Sequence, residues 1–239
     1  MPWDCLPAEL RNSEVKEYYD ILKRKNPSLA AKRSFDILMS AIALILLSPV
    51  FLVICIAVKA DSKGPVLFRQ ERVTQYGRRF RMYKFRTMEA NTELQGMLTA
   101  KDDGRITKSG KLLRKYRLDE LPQLLNIIKG DMSFVGTRPE VSKYVDRYTN
   151  EMKATLLLPA GMTSAASIFF NNESKYLDNK YDIDKIYIED ILPRKMRYNL
   201  EGIKSLSFFG DIKILVKTVL AVTGVKKWLE APEETIIAR

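Results

Sequence analysis

Asp119 and Glu120 stand side by side in Arg117-Leu118-Asp119-Glu120-Leu121-Pro122-Gln123. An apolar helical pattern from Ser109 to Leu118 precedes them and carries Lys111, Arg114, Lys115 and Arg117. A second pattern starts at Pro122, runs through Leu124, Leu125, Ile127 and Ile128, and stops at Gly130. Proline suits the first turn of a helix and disfavours helical geometry in the residue before it. The spacing therefore predicts a break at Leu121, with both carboxylates at a helix junction. Free N–H groups and cations at such a junction favour an anion, including a phosphate. The same residues, taken alone, equally fit a surface helix in which Lys115 and Asp119 form an i,i+4 ion pair.

Arg138 lies in Gly136-Thr137-Arg138-Pro139, where glycine and proline fix a turn. An arginine fork on a stiff loop suits a phosphate, and it suits a structural salt bridge equally well. Val66 to Gln70 and Phe80 to Phe85 read as strands of a hairpin turning at Tyr76-Gly77. That stretch carries Arg69, Arg72, Arg78, Arg79, Arg81, Lys84 and Arg86, interleaved with Phe68, Tyr76, Phe80, Tyr83 and Phe85. Such a mixture fits lipid head groups, a nucleotide diphosphate, nucleic acid or a solvated basic face. Gly104 to Lys111 is not a phosphate loop, because Leu112 stands where Ser or Thr is required.

Composition narrows the chemistry. The chain has 239 residues and a net charge of +11, which favours an anionic partner. It contains no histidine, so every His-based triad, general base and metal ligand is excluded. Cys5 and Cys55 are far apart and make neither a disulfide framework nor a zinc site. Any metal must rest on oxygen ligands, as Mg²⁺ does.

The elements that must position these residues begin with a membrane segment. Ile37 to Val58 is a run of about 22 uncharged residues, long enough to cross a bilayer core. Ser48-Pro49 interrupts it. Pro49 lacks an N–H and clashes with the Ile45 carbonyl, so a bend is expected, with the Ser48 hydroxyl satisfying a freed backbone group. Lys32 and Arg33 flank the run on one side and Lys59, Lys63, Arg69 and Arg72 on the other. Two basic flanks fit a helix that enters, turns and leaves on the same side; a kinked single span is the alternative. Asp36 is expected near the interface, paired with a basic neighbour.

Residues 1–31 read as an appended amphipathic helix (Leu10, Val15, Tyr18, Tyr19, Leu22) ending in a linker at Asn26-Pro27-Ser28. Residues 141–158 and 187–204 read as helices. Residues 161–173 read as a loop with Thr163, Ser164, Ser167, Asn171 and Asn172 available to a substrate. Residues 211–223 form an amphipathic helix that fits an interface or the core. The tail after Ala231 is expected to be disordered. The domain plan is thus an N-terminal extension (1–31), a membrane helix-break-helix (32–60), a catalytic domain (61–224) and a tail (225–239). The fold class is α+β, mainly α.

Five stretches in order resemble one family. They are Ser48-Pro49 in the apolar run, Lys84-Phe85-Arg86-Thr87-Met88, Leu118-Asp119-Glu120-Leu121-Pro122-Gln123, Lys129-Gly130-Asp131-Met132-Ser133, and Gly136-Thr137-Arg138-Pro139. Together they resemble the bacterial sugar transferases, small monotopic phosphoglycosyl transferases, from about Lys32 to Gly224. The resemblance implies transfer of a sugar-1-phosphate from a UDP-sugar to a polyprenol phosphate, giving polyprenol-diphosphate-sugar and UMP. It implies a re-entrant membrane helix, a place on the bacterial inner membrane with the catalytic domain on the cytoplasmic face, and Mg²⁺ as cofactor. It makes Asp119 the nucleophile and metal ligand, with Glu120 as its catalytic partner. Lys84, Arg86, Arg114 and Arg138 become phosphate or nucleotide ligands. Two departures stand out: Pro159-Ala160-Gly161 where the family has Arg-Pro-Gly, and Thr137 where it has proline.

The competing class is a non-enzymatic membrane anchor whose basic hairpin binds anionic lipid or nucleic acid. That reading leaves the Asp119 junction without a purpose. Under the enzymatic reading nucleic acid is not a partner, membrane lipid is, and the N-terminal extension is a candidate surface for homo-oligomer contacts.

Overall fold

The computed structural model describes residues 1–89, 104–170 and 183–223. Asn171, Asn172 and the 225–239 tail lie outside the described residues. In chain order the helices are α1 (Ser13–Arg24), α2 (Asn26–Leu46), α3 (Ser48–Asp61), α4 (Lys108–Lys115), α5 (Gln123–Lys129), α6 (Ser142–Val145), α7 (Ala165–Phe169), α8 (Ile183–Ile186), α9 (Leu192–Lys204) and α10 (Phe208–Val222). The strands are β1 (Leu67–Val73), β2 (Arg79–Phe85), β3 (Met132–Val135) and β4 (Ala160–Thr163). The chain is mainly helical, as its composition and periodicity suggest.

The proline break divides the apolar run as expected. α2 and α3 meet at a bend of 63°. Ser48 Oγ donates to the Ile45 carbonyl at 2.8 Å, the group that Pro49 leaves without its helical N–H. No single helix among the described residues is long and apolar enough to cross a membrane; the bent pair together meets that length and composition. Leu38, Ile45, Leu46, Leu52, Val53 and Ile56 are exposed along it. The inner face of the pair packs on protein. Ala43, Leu44 and Leu47 lie against Phe80, Met82, Leu124, Ile127 and Met132. Ile54 and Val58 share a core with Phe85 and Leu113.

Asp36 departs from the expected cation pair. It is buried, and its Oδ1 accepts from the Phe134 N–H at 3.3 Å. The nearby cation, Lys32, pairs with Asp211 on α10 at 2.5 Å.

The hairpin forms in an antiparallel register that sets Leu67 opposite Phe85 and Val73 opposite Arg79. Its turn passes through Tyr76 in the left-handed region and Gly77, where that backbone is cheap. A second pair was not foreseen: β3 and β4 run parallel, with Met132 opposite Ala160 and Val135 opposite Thr163. The residues from 161 onward, read as loop, are therefore strand β4 and short helix α7. The helix expected over 141–158 is instead α6 and a 3₁₀ segment at Met152–Leu157. The expected helices at 187–204 and 211–223 correspond to a π-turn running into α9, and to α10.

The N-terminal extension is part of the core. Leu6, Leu10, Val15, Tyr18 and Leu22 are buried together with Ala154, Leu157, Leu200 and Ile203. Asn12 caps α1 by accepting from the Val15 N–H at 2.9 Å. Asn26-Pro27-Ser28, read as a linker, is the first turn of α2, where proline is welcome. The boundary expected at residue 31 thus falls inside α2.

Candidate active site

Four segments converge on the two carboxylates. α4 is capped by Thr107, whose Oγ1 accepts from the Gly110 N–H at 3.1 Å. Its last turn carries Arg114 and Lys115. The chain then reverses at Arg117, which holds φ 56°, a left-handed conformation rare outside glycine and costing roughly 1–2 kcal/mol. A 3₁₀ turn over Leu118–Glu120 follows, and α5 starts after Pro122. The break expected at Leu121 is therefore at Arg117, since Leu121 is itself in the right-handed helical region. Gly130, at φ 85°, ends α5 as the pattern predicts.

Neither carboxylate is on a surface helix: Asp119 is 6% and Glu120 5% exposed. Glu120 is gripped from three sides. Arg138 Nη1 reaches its Oε2 at 3.2 Å while Nη2 reaches Oε1. Lys84 Nζ lies 3.2 Å from Oε1 and Arg117 Nη1 3.4 Å from it. Burial opposes ionisation of Glu120, yet Arg138, Lys84 and Arg117 hold its carboxyl well below the usual range. In return, Glu120 pushes the Arg138 guanidinium higher still. Burial pushes the Lys84 ammonium down, and Glu120 partly restores it.

Asp119 is as buried as its neighbour but is held differently. Its Oδ1 is buried and accepts no hydrogen bond. Burial raises its pKa; Lys84 pulls the other way, Glu120 adds to the rise, and Arg114 and Arg117 lower it. One carboxylate is thus saturated and the other presents an uncommitted oxygen into a cationic surround. Buried polar atoms without partners are uncommon and mark a place where something else binds or reacts.

The Arg138 loop is set by the crossing of two glycines. Gly136 donates to the Thr163 carbonyl at 3.0 Å, and Gly161 to the Thr137 carbonyl at 2.8 Å. A Cβ on Gly161 would stand 2.1 Å from the Gly136 carbonyl oxygen. Glycine is required at 161 by close approach, even though the arginine two places earlier in the family pattern is here Pro159. Beyond Pro139, Glu140 is buried and accepts from Tyr187 Oη at 2.5 Å and Lys195 Nζ at 3.1 Å. The Glu140 carbonyl accepts from the Val73 N–H at 2.9 Å. Sequence reasoning missed Glu140, Tyr187 and Lys195, because a lone acid and a distant Tyr and Lys carry no local pattern.

Lys84, Arg114, Arg117, Asp119, Glu120 and Arg138 are brought together. Arg86 is not. Strand β2 ends at Phe85, so the alternation that directs Lys84 toward Glu120 no longer governs Arg86. Its Nη2 donates instead to the Ser62 carbonyl at 2.7 Å and Ser62 Oγ at 2.9 Å, at the end of α3. Ser48 and Pro49 shape the bend between α2 and α3 and not the carboxylate cluster.

Among the described residues, the carboxylate cluster fits a Mg²⁺ ion through Asp119. Among the described residues no group of three or more His, Cys, Asp or Glu side chains stands close enough to hold a metal. Glu120 is occupied by cations. That leaves the Asp119 carboxylate, and Mg²⁺ commonly takes one or two carboxylates with substrate phosphates and water.

The model of the family described as bacterial sugar transferase matches residues 27–225. Among curated proteins, the chain is similar to UDP-N-acetylgalactosamine-undecaprenyl-phosphate N-acetylgalactosaminephosphotransferase of Aeromonas hydrophila, 37% identical over 195 residues, 80% of this chain and 43% of that protein. It is similar to UDP-glucose:undecaprenyl-phosphate glucose-1-phosphate transferase of Klebsiella pneumoniae, 36% identical over 80% of this chain and 40% of that one. It is also similar to the uncharacterized sugar transferase EpsL of Bacillus subtilis, 37% identical over 82% of this chain and 90% of that one. The chain spans less than half the length of the first two relatives.

Proposed function

Given that the chain belongs to the bacterial sugar transferase family, we propose that it is a phosphoglycosyl transferase working through a covalent aspartyl intermediate. The substrates are a UDP-sugar and a polyprenol phosphate; the products are polyprenol-diphosphate-sugar and UMP. The relatives' names support this substrate class. The observation that carries the mechanism is the contrast between the two carboxylates: Glu120 fully engaged, Asp119 with a buried, unpartnered oxygen.

Asp119 Oδ1 attacks the phosphorus that bears the sugar. The bond from that phosphorus to the bridging oxygen breaks, and UMP leaves with the electron pair. The resulting acyl phosphate holds the sugar phosphate on Asp119. An oxygen of the polyprenol phosphate then attacks the same phosphorus, and the carboxylate departs unchanged. Splitting the transfer this way replaces one difficult displacement by two easier ones. Lys84, Arg114 and Arg117 supply positive charge where the diphosphate must sit, and the Glu120–Arg138 fork holds that charge in place. A Mg²⁺ ion held by Asp119 would supply further charge neutralisation for the diphosphate.

The re-entrant reading has support from both ends of the membrane segment. α1 precedes it and α9 follows it, yet they share a core. Lys25 Nζ donates to the Lys204 and Leu206 carbonyls at 2.8 Å, and Arg33 donates to Ile127 and Ile128. Folded contacts cannot be made through a bilayer, which supports a re-entrant segment with both ends on one side; we take that side to be the cytoplasmic face of the inner membrane. Exposed Phe209, Val216 and Val219 on α10 suit an interfacial helix beside it.

The deciding experiment mixes the full chain in lipid nanodiscs with UDP-sugars and Mg²⁺ and no polyprenol phosphate. Up to one equivalent of UMP should appear, with the mass of a sugar phosphate on the Asp119 peptide, and Asp119→Asn should abolish both. UMP release that strictly requires the acceptor, with no adduct, would mean direct transfer. No UMP under any condition would favour the lipid-binding anchor.

A further inference from the structure

We propose that Arg86 and Asp61 are positioning residues that lock the last turn of α3 to the two segments carrying Lys84 and Arg114. The inference rests on the phosphoglycosyl transferase reading and adds how the cations of that site are held against the membrane helix.

Arg86 is 5% exposed, and its guanidinium is used on one edge only. Nη2 donates to the Ser62 carbonyl, to Ser62 Oγ and, at 3.5 Å, to the Val58 carbonyl. Nε and Nη1 are buried without partners. A buried donor left unpaired costs free energy. Fold stability alone therefore gives a poor reason for arginine here. Its bonds all reach the C-terminal turn of α3 and its cap residue Ser62, where a cation is favourable. Lys84, two residues earlier, lies against Glu120. Between them Phe85 packs on Phe51 of α3, ring centroids 5.3 Å apart.

The second tie leaves the same turn. Asp61 Oδ2 accepts from the Ser109 N–H and from Ser109 Oγ, both at 2.7 Å. Ser109 lies in the first turn of α4, and Arg114 in its last. α4 is itself pressed onto the residue after Arg86. The Thr107 N–H donates to the Thr87 carbonyl at 3.0 Å, and a Cβ on Gly110 would stand 2.1 Å from that oxygen. The end of α3, residues 85–87 and the start of α4 form one knot. A shift of α3 is passed to Lys84 through β2 and to Arg114 through α4. A misplacement of about 1 Å at such groups costs on the order of 10²-fold in rate.

Arg86→Met keeps the bulk, removes the two unpartnered nitrogens and cuts the tie. Arg86→Lys keeps one donor and the charge. Both are compared with the parent in nanodiscs, alongside Asp61→Ala and Asp61→Asn, by UMP-release kinetics and by amide hydrogen exchange. Arg86→Met and Asp61→Ala should lower kcat about 10- to 100-fold with KM for the UDP-sugar held within about threefold, as expected for misplaced groups. Arg86→Lys and Asp61→Asn should recover much of that loss. Exchange should quicken in peptides spanning 81–87 and 107–117 and stay unchanged in α9. Unchanged exchange in both segments overturns the inference. So does a rise in KM at constant kcat, which makes Arg86 a substrate ligand, or faster exchange throughout α9, which makes it a plain fold stabiliser. A parent that releases no UMP refutes the enzymatic reading instead, and the exchange measurement still decides the ties.

Discussion

Arg138 and Glu120 meet as a fork on a fork, with Nη1 3.2 Å from Oε2 and Nη2 against Oε1, and Lys84 closes on the same carboxylate. Removing the acid leaves two part-buried cations without the buried carboxylate that holds them. Glu120→Gln should destabilise the fold by about 3–5 kcal/mol, the usual cost of breaking a buried pair from one side. For a chain of this size that is a fall in melting temperature of roughly 6–20 °C. Thermal unfolding followed by circular dichroism in nanodiscs measures it.

The same group sets an acid limit. Glu120 is held below its ordinary pKa, so the folded state binds its proton more weakly than the unfolded state. Its stabilisation is fully present above the ordinary glutamate range and is lost as pH falls through the depressed folded value. Melting temperature should drop on the acid side in the parent. In Glu120→Gln that part of the slope should be missing.

Gly161→Ala tests the crossing that seats Arg138. The new methyl would meet the Gly136 backbone at 2.1 Å. The Arg138 loop must move, and UMP release should fall at least about 10²-fold, in keeping with catalysis by placed charge. Gly202→Ala, where nothing lies within 4 Å, is the control and should keep parent activity.

Single cysteines at Lys23 and Lys63, both exposed, one before and one after the bent apolar helix pair in the chain, test topology. In a background lacking Cys5 and Cys55, neither should react with an impermeant thiol reagent added to intact cells. Labelling at one position only would establish a span. Pro49→Ala should restore the helical bond to the Ile45 carbonyl and move molecules toward that labelled state.

Much of this architecture was readable from residues whose local chemistry leaves few options. A proline inside an apolar run, with serine before it, has one comfortable geometry, and Ser48 adopts it. Gly130 ends its helix because a left-handed residue is needed there. The readings that missed depend on partners far away in the chain. α1 shows its apolar face in the sequence, but nothing local says that Leu200 and Ile203 will cover it. The Asp119 junction was legible as a break, whereas its placement at Arg117 came from tertiary packing that overrode the penalty of a left-handed arginine. Arg86 sits in a run of cations, and only the end of β2 distinguishes it from Lys84. The state of each carboxylate was hidden too, since burial is a property of the assembled core.

The shared core of α1 and α9 also orders events during synthesis. Tyr18 Oη donates to Glu151 at 2.5 Å, and Leu22 packs in the same cluster as Leu200 and Ile203. The first helix leaves the ribosome long before its partners exist. At about 5–20 residues per second, roughly 10–40 s separate the two. Through that interval the amphipathic face of α1 is without Leu200 and Ile203, which cover it in the folded chain. Closure of this core therefore waits for the C-terminal part of the chain, and the apolar face of α1 lacks its α9 cover until then.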